Sequence, residues 1–161
     1  MQQFFADYEI STDRQRLNVA VIHNFLAVES YWSPGIPRVV VERAIENSLC
    51  FGVYQGGAQV GFARVVTDKA TFALLADLFI LAAHRGKGLS KFLMRCVVGH
   101  EDLQGLRRLL LLTSDAHGLY RQFGFTELGN PSRFMEVLRQ DVYAPPLEGP
   151  PLEGRMDGTK A

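Results

Sequence analysis

The spacing of apolar residues along the 161-residue chain changes several times, and each change marks an element. Residues 4–10 read as a first strand. Ser11, Thr12 and Asp13 then offer capping oxygens to a helix carrying Leu17, Ala20, Val21, Phe25 and Val28 at helical spacing. That helix is expected to end near Tyr31. The segment "YWSPGIP" follows as a loop, and Val41, Ala44 and Ile45 mark a second, shorter helix.

From Leu49 the pattern turns strand-like. "LCFGVY" and "QVGFARVVT" are joined by "QGGA", whose central glycines tolerate the positive φ of a hairpin turn. After the turn signal "TDKA", "TFALLADLFIL" reads as a long third strand interrupted by one carboxylate, Asp77. Leu89, Phe92, Leu93, Cys96 and Val97 then give one apolar helical face. "RRLLLLT" is a continuous apolar run, the pattern of a strand buried on both faces. "AHGLYRQFGF" predicts a short helix closed by Gly124, and Phe125 onward and "RFMEVL" predict final strands. The folded domain is thus expected over residues 1–140. Residues 141–161, which carry the pentapeptide PPLEG written twice, are expected as an extended tail outside the core.

Composition narrows the function classes. With 47% apolar and 21% charged residues, the chain has the balance of an ordinary globular domain. Seventeen basic residues offset seventeen acidic ones, so the excess expected of a nucleic-acid surface, or of an enzyme acting on charged transfer RNA, is missing. Cys50 and Cys96 lie far apart in apolar stretches without metal-ligand spacing and read as reduced core thiols. No apolar run approaches the roughly 18 residues of a membrane span. A cytoplasmic protein with no membrane partner is expected.

The chemistry gathers in "HRGKGLSKFLM", residues 84–94. A helix N-terminus presents unpaired N–H groups and partial positive charge, and a glycine-rich lead-in lets a ligand come close. "RGKGLS" is therefore either an anion site, most naturally for phosphate, or a plain helix-entry loop. The chain has no GxxxxGK[ST] P-loop. It also has no GxGxxG, and hairpins rather than a βαβ unit precede the loop.

The loop fits [Q/R]-x-x-G-x-[G/A] as Arg85-Gly86-Lys87-Gly88-Leu89-Ser90, preceded by the aliphatic strand "DLFIL". About thirty residues later "AHGLYRQFGF" fits A-x-x-x-Y-x-x-x-G-F. In these motifs and in its order of elements, the chain resembles the GNAT superfamily of acyl-CoA-dependent N-acyltransferases over residues 4–138. The resemblance implies a single α/β (α+β) domain, with a mixed, mostly antiparallel central sheet flanked by helices. Three positions depart from the family pattern. Ser90 replaces the usual glycine or alanine but keeps a small side chain and an N–H. Thr113 stands where many relatives carry an asparagine, and Ala82 replaces a frequent proline.

The resemblance also implies roles. The N–H groups of Gly86, Lys87, Gly88, Leu89, Ser90 and Lys91 hold the CoA pyrophosphate, with the Arg85 and Lys87 side chains either adding charge or solvated. Leu78, Phe79 and Ile80 pair with the pantetheine arm like an added strand. An N–H near Phe79 or Ile80 polarises the thioester carbonyl. Thr113 lies beside the cofactor. Tyr120 either protonates the leaving thiolate or packs with Phe123 and Phe125. Asp77 either takes the proton of the attacking amine, binds a cationic substrate, or pairs with Arg64. His84 and His117 are further base candidates by their intrinsic pKa, and Asp115 reads as a helix cap. Tyr31 and Trp32 either wall an acceptor pocket or pack against the helix end.

The activity implied is transfer of the acetyl group of acetyl-CoA to a primary amine by direct attack in a ternary complex. No cysteine sits beside a histidine base in sequence, and no metal is implied. The alternatives are a peptide or protein amine as acceptor, a longer acyl donor, or an acyl-CoA-binding module without turnover. A homodimer is compatible with the sequence, although no segment demands one.

Overall fold

The computed structural model describes residues 1–139 and 141–143. Six strands form one sheet in sequence order: β1 Gln2–Phe5, β2 Tyr8–Ser11, β3 Leu49–Gln55, β4 Ala58–Thr67, β5 Phe72–Ile80 and β6 Arg108–Leu111. Neighbours run antiparallel except β5 and β6, which are parallel. The helices are α1 Val19–Asn24, α2 Arg38–Glu46, α3 Leu89–Val98 and α4 His117–Arg121. This is the α/β architecture expected, with the sheet sandwiched between helices.

Each sheet face carries its own core. On one face Phe51, Val53, Ala63 and Val65 pack with Leu89, Leu93, Met94 and Val97 of α3. On the other, Cys50, Phe62 and Phe79 pack with Ile22 and Phe25 from the first helical segment and Val41 and Ile45 of α2. The period-two alternation of the strands explains the division. All five positions of the predicted helical stripe, Leu89, Phe92, Leu93, Cys96 and Val97, are buried. The β3–β4 hairpin turns at Gly56 and Gly57, both at positive φ (+54° and +86°), as "GG" predicts.

Several elements differ from expectation. The first strand is a hairpin, β1 and β2, turning at Ala6, whose φ is +51°. A 3-10 turn capped by Asp13 precedes α1. Asn18 rather than the Ser11–Asp13 group caps α1, accepting from the N–H of Val21. Beyond Asn24 the helix widens into a π turn, Phe25–Glu29. β6 is half-exposed rather than buried on both faces, because no strand covers its outer edge among the described residues. Phe125 onward and residues 133–138 run without strand pairing, and Met135, Val137 and Leu138 are exposed. The tail expected over 141–161 is described only for residues 141–143, which form a turn, and the PPLEG repeat lies outside the described residues. Among the described residues no helix is long and apolar enough to cross a membrane.

Candidate active site

The site begins with a fault in the sheet. β4 and β5 pair Arg64 with Ala76 and Phe62 with Phe79, so β5 spends three steps where β4 spends two. The extra residue is a bulge at Asp77, whose φ of +52° is unusual for a residue with a Cβ. Side-chain parity flips there. Ala73 and Leu75 face the α3 core before it, Leu78 and Ile80 after it, while Phe79 turns to the opposite core. At the same point β5 loses its neighbour, since pairing with β6 ends at Leu75 and Leu111. From Ala76 to Ile80 the β6-side edge of β5 therefore faces no strand.

A cavity of about 780 Å³ fills the gap. Ala76, Asp77, Leu78, Phe79 and Ile80 form one wall, and Leu112, Thr113, Ser114 and Asp115 the opposite one. The predicted glycine loop closes one end through Arg85, Gly86, Gly88, Leu89 and Ser90. Gly86 and Gly88 stand at φ +75° and +80°, a left-handed region that glycine enters without strain. The first main-chain bond of α3 runs from the N–H of Phe92 to the Gly88 carbonyl. The N–H groups of Leu89, Ser90 and Lys91 precede that bond and form the unpaired first turn.

Both loop cations are tied to the protein, although Arg85 also lines the cavity. Arg85 donates from Nε back to the Ile80 carbonyl at 2.9 Å, and Lys87 donates from Nζ to the Tyr8 hydroxyl at 3.0 Å. Both side chains hold the loop in shape, and Lys87 and Lys91 are absent from the cavity lining.

Tyr120 lies at the cavity's base on α4. Its ring packs edge-on against Phe125 at 5.9 Å, and the residue is 9% exposed, so the core-packing reading holds for the ring. The side chain also lines the cavity. Burial pushes its phenol up to about 12, with Tyr31 and Asp115 adding to the shift. The phenol therefore stays protonated across neutral pH and can donate a hydrogen bond there.

Asp77 is fully engaged. Its Oδ2 accepts from Arg64 Nε at 2.6 Å and its Oδ1 from Trp32 Nε1 at 3.1 Å. Arg64 in turn donates from Nη1 to Ser48 Oγ at 3.2 Å. The partner proposed from sequence, Arg64, is thus the partner found. Trp32 is pinned against the bulge and packs on Phe25 (6.2 Å) and edge-on to Tyr31 (5.0 Å). Tyr31 spans the cavity mouth, where its hydroxyl accepts from the N–H of Ser114 at 3.2 Å and donates to Asp115 Oδ1 at 3.4 Å. The two aromatics form a strap fastened to both walls.

Two assignments change. Asp115 does not cap α4, whose N-cap is Ala116 without a side-chain cap bond; Thr113 Oγ1 instead accepts from the N–H of Ala116 at 3.0 Å in the turn before it. His117 lines a separate concavity beside β6, whereas His84 lines the main cavity. Sequence reasoning missed two participants. Glu29 lines the strap end of the cavity, exposed at the close of the π turn. Tyr8 stands behind the loop and binds both Lys87 and His84. Neither belongs to a motif, and only the tertiary fold brings them to the site.

Comparison with known proteins places the chain by family and fold. The family model described as "Acetyltransferase (GNAT) domain" matches residues 46–127. A candidate acetyltransferase of Gibberella zeae, FG08082, is 33% identical, the match covering 71% of this chain and 76% of that protein. The crystal structure of a Xanthomonas campestris protein assigned to the GNAT family is 49% identical, with a TM-score of 0.84 over 86% of this chain and 97% of that one. A Clostridium acetobutylicum structure described as a predicted acetyltransferase with acetyl-CoA is 13% identical. It shares the fold, with a TM-score of 0.62 over 86% and 96% of the two chains.

Proposed function

The chain belongs to the GNAT acetyltransferase family, and from that premise we propose that it transfers the acetyl group of acetyl-CoA to a primary amine by direct attack in the cavity between β5 and β6. One observation carries this reading. Next to the bulge at Asp77, β5 runs without its β6 neighbour beside a loop whose unpaired N–H groups suit a diphosphate. The acetyl-CoA in the Clostridium acetobutylicum relative supports the same ligand here.

The residues take roles in sequence along the cavity. The N–H groups of Gly86, Lys87, Gly88, Leu89, Ser90 and Lys91 receive the pyrophosphate. Leu78, Phe79 and Ile80 pair with the pantetheine arm as an added strand, and an N–H near Phe79 or Ile80 polarises the thioester carbonyl. Thr113 shapes the facing wall. Tyr120 donates a hydrogen bond to the thiolate as it leaves. A phenol near 12 is a weaker acid than a thiol, so Tyr120 stabilises the developing charge more than it surrenders its proton.

Tyr31, Trp32 and Glu29 bound the acceptor end. Asp77, tied at both carboxylate oxygens, holds Trp32 and the bulge in place, and water carries away the amine proton. A nucleophilic cysteine does not fit this scheme. Cys50 and Cys96 are buried, and burial pushes Cys50 up to about 11 and Cys96 up as well.

Thiol release from acetyl-CoA, measured across a panel of small amines and short peptides, tests the proposal. Amine-dependent CoA release supports transfer. Cofactor binding without release for any amine overturns it in favour of a binding module.

A further inference from the structure

Behind the glycine loop, three side chains form a directed hydrogen-bond chain. Lys87 Nζ donates to the Tyr8 hydroxyl at 3.0 Å, and that hydroxyl lies 3.0 Å from His84 Nδ1. Tyr8 is only 3% exposed, on β2, with the His84 ring edge-on at 5.8 Å. An ammonium has only donors, so the Tyr8 oxygen must accept from Lys87. Tyr8 has one hydrogen to give, and the acceptor within reach is His84 Nδ1. Were Nδ1 to carry a proton, the buried Tyr8 hydrogen would lose that acceptor, an arrangement that folded proteins avoid. The neutral His84 ring then holds its proton on Nε2, and His84 lines the cavity at the end where the loop gathers its N–H groups.

We propose that Lys87, acting through Tyr8, holds His84 as its Nε2–H tautomer, and that this N–H donates to the pyrophosphate of bound acyl-CoA. The ligand half of the inference rests on the acetyl-CoA reading above, whereas the tautomer half does not. His84 contacts the cofactor, and Tyr8 and Lys87 are positioning residues. The loop lysine thus contributes to anion recognition indirectly, by setting which nitrogen of a neighbouring ring carries the proton.

Long-range proton–nitrogen correlation spectra of the ¹⁵N-histidine-labelled full chain, at pH 8, test the tautomer without any ligand. The proposal expects the Nε2–H pattern for His84, assigned by its loss in His84→Gln. Tyr8→Phe and the exposed-site variant Lys87→Met are each expected to give a tautomer mixture. An Nδ1–H pattern in the native protein, or no change in either variant, overturns the relay whatever the protein binds.

Titrations test the ligand. Adding CoA is expected to shift the His84 Nε2 resonance, while pantetheine, which lacks the diphosphate, leaves it in place. An equal shift with both overturns the pyrophosphate assignment. His84→Ala is expected to weaken acetyl-CoA about tenfold, the loss of one charge-assisted bond. His84→Gln, whose amide N–H replaces the ring Nε2–H, is expected to retain affinity. Equal affinity in native and His84→Ala proteins overturns the contact. No acetyl-CoA binding by the native protein removes the cofactor reading and the contact together, with the relay still decided by its own spectrum.

Discussion

Arg64 donates from Nε to Asp77 Oδ2 at 2.6 Å, and the pair straddles the point where β4 and β5 fall out of register. Both side chains are largely buried, at 18% and 12% exposure. Removing one member leaves the other charge buried without its partner. Arg64→Met is expected to destabilise the fold by about 2–3 kcal/mol in urea unfolding. Arg64→Met with Asp77→Asn is expected to recover part of that loss, because no unpaired charge remains. A double variant that merely adds the two single losses contradicts the coupling.

Gly61 tests the bulge from the opposite strand. A Cβ at Gly61 would lie 2.9 Å from the Phe79 carbonyl oxygen and 2.6 Å from Ile80 Cδ1. Backbone cannot yield there without moving the cavity wall. Gly61→Ala is expected to cost about 1–3 kcal/mol of stability and to weaken acetyl-CoA binding as well. Unchanged stability and affinity would show that β5 is looser than its packing implies.

Tyr120 separates packing from chemistry. Tyr120→Phe keeps the ring against Phe125 and removes the hydroxyl. The expected outcome is a kcat lowered about tenfold to a hundredfold, with KM for acetyl-CoA little changed. Because its phenol is held near 12, no limb of the pH–rate profile between pH 6 and 9 should disappear in the variant. A lost limb in that range contradicts the assignment.

High pH reads burial directly. Tyr54 and Tyr120 are both pushed from 10.0 to about 12 by burial. An unfolded tyrosine ionises near pH 10 while the folded one stays neutral, so the folded state binds more protons in that window. Their contribution is complete below pH 10 and is lost as pH rises toward 12, at about 1.4 kcal/mol per pH unit for each residue. Cys50, raised from 9.0 to about 11, adds a loss of the same sign from pH 9. Tyr54→Phe is expected to shallow the alkaline slope. It should also be neutral or stabilising at pH 7, because the Tyr54 hydroxyl is buried without a partner among the described residues.

The sequence exposed the parts of the site that are local. The glycine loop, the α3 stripe and the β3–β4 hairpin depend on residues within a few positions of one another, so spacing predicted them. Asp77 stood out as a carboxylate in an apolar strand, and the structure gives the reason: the extra residue of the bulge turns it away from the α3 core. Burial of β6 was not legible, because an apolar run records what a strand tolerates and not whether a neighbour covers it. Glu29 and Tyr8 were silent for a related reason. Their relation to the loop spans tens of residues, and no spacing rule connects them.

The proposed function requires the loop at residues 85–90 to hold the diphosphate of acetyl-CoA. Calorimetric titration of the native chain with acetyl-CoA, beside Gly88→Glu, tests it most directly. A Cβ at Gly88 meets only Phe5 Cζ, at 3.9 Å, so the side chain has room. The φ of +80° adds strain of about 1 kcal/mol, which leaves the fold intact. Clear binding by the native protein is expected, and its loss when a carboxylate enters the anion site. A native protein that shows no binding at millimolar acetyl-CoA, or a variant that binds as the native does, contradicts it.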